Sequence, residues 1–166
     1  MPTPPAGLAP DARLRHELVA LLRGGNAHVS TLAALADVPA EAINKRPPGF
    51  EHSLWDLMHH LRFAQRDILD FSRGPDYREA TWPDDYWPDH EGTADDWRQS
   101  REAFEADLEA LVGLAETGDL LAEFEHAPGY TLLREILLAA DHNAHHLGQV
   151  IDLRRALGIW PPDSSE

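Results

Sequence analysis

The sequence contains no cysteine, which excludes disulfides, thiolate zinc sites and a cysteine nucleophile of the chain's own. A metal ion would have to be held by imidazole, carboxylate and water. Positive charge is also scarce: 14 Lys and Arg stand against 29 Asp and Glu, a net charge of −15. Such a surface repels nucleic-acid phosphates and anionic lipid, and no basic stripe interrupts it, so neither is an expected partner. Uninterrupted apolar runs of membrane-span length are missing. The Pro- and Ala-rich N-terminus lacks the basic-then-apolar order of a secretory signal. These features predict a cytoplasmic protein with a disordered tail over residues 1–10 and one domain over residues 11–160.

What is present is a globular composition, 43% hydrophobic and 26% charged over 166 residues, enough to bury a substantial core. Apolar periodicity predicts four helices. The first spans residues 11–37 through Leu14, Leu18, Leu21, Leu22, Leu32 and Leu35, with a kink at Gly24-Gly25. The second opens at Ser53, where Ser53 and Asp56 have capping-box spacing, and runs through Leu54, Leu57, Met58, Leu61, Ile68 and Phe71 to Gly74-Pro75. The third covers residues 93–116 with Trp97, Phe104, Leu108, Leu111 and Leu114 facing inward. The fourth covers residues 131–157 and is closed by Gly158 and Pro161-Pro162. Between the third and fourth, residues 118–129 read as a turn region with room for one short helix, and no segment shows a strand pattern. An all-α, antiparallel four-helix bundle is the economical architecture.

Residues 76–92 form a long connection rich in Pro yet carrying Trp82, Tyr86 and Trp87. A loop of this length inside a compact domain is often functional. Its aromatics either pin it over the bundle or line an entrance to an apolar pocket.

Ten histidines are many for this length, and their placement carries more information than their number. His142 and His146 are four apart on the fourth helix, where Cβ atoms lie roughly 5 to 6 Å apart. Imidazoles so spaced can converge on one ion at about 2.0 to 2.1 Å. At about 100° per residue, the core face set by Leu132, Leu133, Ile136, Ala140, Leu147, Val150 and Ile151 puts His146 at its edge and His142 on the same side, with His145 turned to solvent. Glu135 shares the stripe of His142 and His146, as a fourth ligand or an acceptor for an imidazole N–H. On the second helix the same construction turns His60 toward the core and His59 away, with Asp56 and Asp67 on the stripe of His60. A lone flank histidine is usually a hydrogen-bonded boundary residue. A bare His-x-x-x-His pair is a weak motif, and this one lacks the Glu of the zinc-protease signature. The third inward histidine, on a different helix, is what points to a metal centre.

Trp55 leading through an apolar stretch to His60-Leu61, followed late in the chain by His142, His146 and Gly148-Gln149, resembles the DinB-like (damage-inducible, YfiT-like) family of metal-dependent proteins, which is distinct from the DNA polymerase sharing that name. The similarity is closest to one branch, through Gly25-Asn26-Ala27-His28, His52-Ser53-Leu54-Trp55, Ala64-Gln65-Arg66-Asp67-Ile68-Leu69, the Trp82 to Pro88 segment and Leu153-Arg154-Arg155-Ala156-Leu157-Gly158. The resemblance implies a four-helix bundle, often a homodimer, with nickel or zinc held by His60, His142 and His146. It also implies, for some relatives, transferase or isomerase activity with a low-molecular-weight thiol cofactor. His59 and His145 are departures from the pattern, and His28 and His52 fall in similar stretches without an assigned role.

Three imidazoles on a divalent ion leave an open coordination position, so the leading expectation is an enzyme acting on a small molecule, either a hydrolase or a thiol-dependent transferase. Glu135 and Asp67 are the candidate catalytic bases. An anionic thiol cofactor would need cations such as Arg62, Arg66 or Arg134. The alternatives are a non-catalytic metal-binding or stress-response bundle, and a helical interaction module in which the histidines are incidental.

Overall fold

The computed structural model describes residues 7–161. The tail expected over residues 1–10 falls outside the described residues as far as residue 6, and Pro10 already begins the first helix. In chain order the elements are α1 (Pro10–Arg23), α2 (Thr31–Ala34), a 3-10 turn (Ala40–Ala42), α3 (Leu54–Arg73), α4 (Ala94–Thr117), the strands β1 (Glu123–Phe124) and β2 (Ala127–Thr131), and α5 (Leu132–Ala156). Helices α1, α3, α4 and α5 form the expected four-helix bundle. Among the described residues no helix is long and apolar enough to cross a membrane.

Capping boxes start the two middle helices. Ser53 Oγ accepts from the Asp56 N–H at 3.1 Å while Asp56 Oδ2 accepts from the Ser53 N–H at 2.7 Å, and Thr93 with Asp96 does the same for α4. Each pair satisfies two of the backbone donors that a helix start leaves open.

The structure corrects three expectations. The first predicted helix is broken, not kinked: Gly24 and Gly25 both have positive φ, 69° and 81°, a region open to glycine and closed to most side chains. The chain therefore leaves α1, and Ser30 caps the short α2. Within α1, Leu14 and Leu21 are exposed, while Leu18 and Leu22 supply the buried face. Residues 118–129 hold no short helix. A two-stranded antiparallel hairpin pairs Glu123 with Thr131 and Phe124 with Ala127, and the Phe124 ring packs at 5.7 Å from Phe71 of α3.

The core divides into two apolar clusters. One gathers Leu18 and Leu22 with Ile68, Leu69, Leu108, Leu111, Val112, Leu132 and Ile136. The other gathers Leu35 and Ile43 with Leu54, Met58, Leu61, Trp97, Phe104, Leu147, Val150 and Leu153. The start of α3 thus packs with the end of α5, which makes the two antiparallel. Between the clusters, α3 places His60 and Gln65, and α5 places His142, Asn143 and His146. Gln65 Nε2 donates to the Phe104 carbonyl at 2.7 Å, and Asn143 Nδ2 donates to Gln65 Oε1 at 2.8 Å, so this polar band ties three helices together. At the far end, Arg154 is fully buried and donates to the carbonyls of Ala34, Ala36 and Ile159. It anchors α2 and the C-terminal segment to α5 through backbone carbonyls.

Candidate metal centre

The three histidines that helix periodicity turns inward are the three the fold brings together. Suitable ring nitrogens of His60, His142 and His146 all lie within 4.8 Å of one another. Ring centroids are 5.0 Å apart for His60 and His142, 4.6 Å for His60 and His146, and 4.5 Å for His142 and His146. The Nε2 atoms of His60 and His142 approach to 3.0 Å. Ligands about 2.05 Å from a tetrahedral ion are separated by about 3.3 Å, so a small change of rotamer accommodates the ion.

The outer nitrogens fix which atoms face the centre. His60 Nδ1 lies 3.3 Å from the Tyr86 carbonyl, and His146 Nδ1 lies 2.7 Å from Gln149 Oε1. Both partners accept, so both Nδ1 atoms carry the proton and both Nε2 atoms present a lone pair inward. His142 Nδ1 is buried without a hydrogen-bond partner among the described residues, and its Nε2 is the atom at the centre. This donor set fits a divalent ion.

Electrostatics favour the same state. Burial lowers the His60 pKa to about 4, with the neighbouring His146 adding to the shift. Burial lowers His142 to about 3, reinforced by His146 and His60, and lowers His146 as well. All three imidazoles are neutral at pH 7, which is the form that binds metal.

The connection between α3 and α4 covers the cluster. Trp87 lies flat against His60, with centroids 4.3 Å apart and planes 6° apart, and His52 stacks on its other face at 4.0 Å. The Tyr86 hydroxyl donates to Asp67 Oδ2 at 2.8 Å. The connection is held at its end by Asn44, which bonds both the carbonyl and the N–H of Gly92. A Cβ at Gly92 would collide with the Trp55 indole, so only glycine lets the chain pass this close. Over the histidines lies a cavity of about 380 Å³ lined by Trp82, Tyr86, Trp87, Ala64, Ile68, Leu138, Asp67 and the three histidines.

The other sequence candidates separate. Asp67 lines this cavity; Glu135 does not. Glu135 is buried and its Oε1 accepts from Arg134 Nη1 at 2.8 Å, because seven residues keep a helix face but move roughly 10 Å along the axis. Asp56 caps α3 and pairs with Arg46, and the Tyr86 carbonyl takes the position beside His60 that a carboxylate was expected to fill. His145 is exposed. His59 packs on Trp55 and Phe63, and His28 contacts the carbonyl of Val29. Neither His59 nor His28 is among the residues lining the cavity. Arg62, Arg66 and Arg134 do not line it either; Arg66 pairs with Asp70 and Asp107. A larger cavity of about 500 Å³ lies beyond Asp67, lined by Arg66, Arg73, Arg78, Asp70, Asp76 and Tyr77 among others. Gln149 stood in the sequence motif without a role; its spacing from His146, one helical turn, was the available signal. The Tyr86 carbonyl left none, because a backbone atom on a loop has no sequence signature.

A helical bundle with three neutral histidines, two buried and one half-buried, converging from two helices defines a protein able to coordinate a metal ion. The profile of the DinB superfamily matches residues 26–150, and the chain belongs to that superfamily. A comparison with curated proteins finds no match.

Proposed function

We propose that the protein is a metal-dependent enzyme acting on a small molecule, with His60, His142 and His146 as ligands of one nickel or zinc ion. The observation that carries this reading is the convergence of the three histidines, with carbonyl oxygens on two of the outer nitrogens turning Nε2 inward. An ion with three imidazole ligands supplies Lewis-acid chemistry at its open position. The chain's own residues do the rest. Trp82, Trp87 and Leu138 line an apolar approach to the position, and Asp67, the carboxylate lining the cavity, accepts a proton released there. Its orientation is held by the Tyr86 hydroxyl.

Two reaction types suit this arrangement. Hydrolysis is favoured by walls that carry Asp67 and no Lys or Arg among the described lining residues, because a polyanionic cofactor would find no counter-charge in the cavity. Thiol transfer would instead place the charged part of the thiol outside the cavity over the histidines, on Arg73 and Arg78 of the neighbouring one. A non-catalytic metal-binding bundle is the alternative, in which the ion ties α3 to α5.

Metal content of tag-free protein tests the proposal. About one ion per chain is expected, lost in His60→Ala, His142→Ala and His146→Ala and retained in His59→Ala and His145→Ala. Wild-type protein that takes up neither zinc nor nickel would refute it.

A further inference from the structure

The cavity over the histidines differs from its neighbour in a way that specifies a ligand. Its walls are the rings of Trp82, Tyr86 and Trp87 on one side and the aliphatic side chains of Ile68 and Leu138 on the other. An apolar cavity of about 150 Å³ suffices for benzene, so about 380 Å³ accommodates one ring and a short head group. Two of the three rings are held in place: Trp87 is clamped between His52 and His60, and Tyr86 is bonded through both its carbonyl and its hydroxyl. For these two, little ordering is left for a ligand to impose, while Trp82 stands exposed at the rim. Charge is distributed unevenly. Asp67 is the charged side chain lining this cavity, whereas the arginines lie on the far side of Asp67 in the other one. A second anionic group on a ligand would therefore meet a carboxylate and no cation, inside a protein of net charge −15.

We propose that this cavity selects compact molecules with an aromatic or otherwise apolar body and a single small anionic head directed at the histidine-bound ion, and that Asp67 discriminates against a second negative charge. The inference rests on the metal reading above and names the ligand class for that site.

Three hydroxamates probe it on zinc-loaded protein whose metal content has been measured first: acetohydroxamate, benzohydroxamate and para-carboxybenzohydroxamate, titrated calorimetrically. Benzohydroxamate is expected to bind at least tenfold more tightly than acetohydroxamate, and the para-carboxy probe about tenfold more weakly than benzohydroxamate. Leu138→Ala should retain the ion and narrow the gap between the first two probes. Asp67→Asn should restore affinity for the para-carboxy probe. Equal affinity for the aliphatic and aromatic probes, or tightest binding of the carboxylated one, would overturn the inference while leaving the metal reading intact. Failure to retain zinc would remove both.

Discussion

At the scale of single residues, the site depends on which nitrogen of each imidazole carries the proton. Gln149 holds His146 in the tautomer that frees Nε2. Replacing it by Leu leaves the ring in place but removes the acceptor, and loss of such an outer partner typically weakens metal binding 10- to 100-fold. Gln149→Leu is expected to show that loss in competition with a chromophoric chelator while keeping its helical content. Titration gives a second expectation. The folded-state pKa values of His60 and His142, about 4 and about 3, lie below the usual value near 6.5, so the unfolded chain binds more protons as pH falls. Their contribution to stability is present above about pH 6.5 and is lost on acidification toward pH 4. In metal-free protein, thermal unfolding should shift downward between pH 7 and pH 5 more steeply for wild type than for His142→Gln. The residues themselves were legible in the sequence, because helix periodicity fixes direction around an axis. Height along that axis is less legible, which is why Glu135 shared a stripe with His142 yet lies against Arg134.

Among the elements, the long helices followed from caps and apolar spacing, and α3, α4 and α5 begin and end within a residue or so of the sequence reading. The irregular pieces did not follow. The break after α1 depends on two glycines adopting positive φ in succession, which periodicity does not detect. The hairpin pairs so few residues that no alternating pattern accumulates. The connection over residues 76–92 is the element on which the cavity depends most, and its anchor is Gly92 against Trp55. Overpacking a rigid, buried ring typically costs about 1 to 3 kcal/mol. Gly92→Ala is expected to lower stability by that order in urea denaturation and to weaken benzohydroxamate binding, since the wall bearing Tyr86 and Trp87 follows this anchor. Unchanged stability would mean that the connection can move away from Trp55 freely.

For the whole molecule, the two apolar clusters flank the polar band and are each built from several elements. The fold is therefore expected to survive removal of an ion. Chelation is expected to lower the melting temperature while leaving the helical circular dichroism signal unchanged at 25 °C. Collapse of that signal would favour the reading in which the ion is a structural tie between α3 and α5. The same arrangement explains why the bundle was readable from sequence: both clusters are made from apolar residues at helical spacing. It also explains why the cavity was not readable. The cavity is enclosed by a loop whose path is set by hydrogen bonds from Asn44 and ring stacking on His52, contacts between segments far apart in the chain.

The sandwich of Trp87 between His52 and His60 has an optical consequence. An indole in face-to-face contact with a metal-seeking imidazole sits within electron-transfer range of whatever occupies the centre. Its emission is expected to follow occupancy in a metal titration read by fluorescence: a paramagnetic ion such as nickel would darken it and zinc would leave it bright. With Trp87 replaced by Phe, the emission of the other four tryptophans would no longer carry that nearest signal. Trp87 is thus placed to report which ion, if supplied, the three histidines take up.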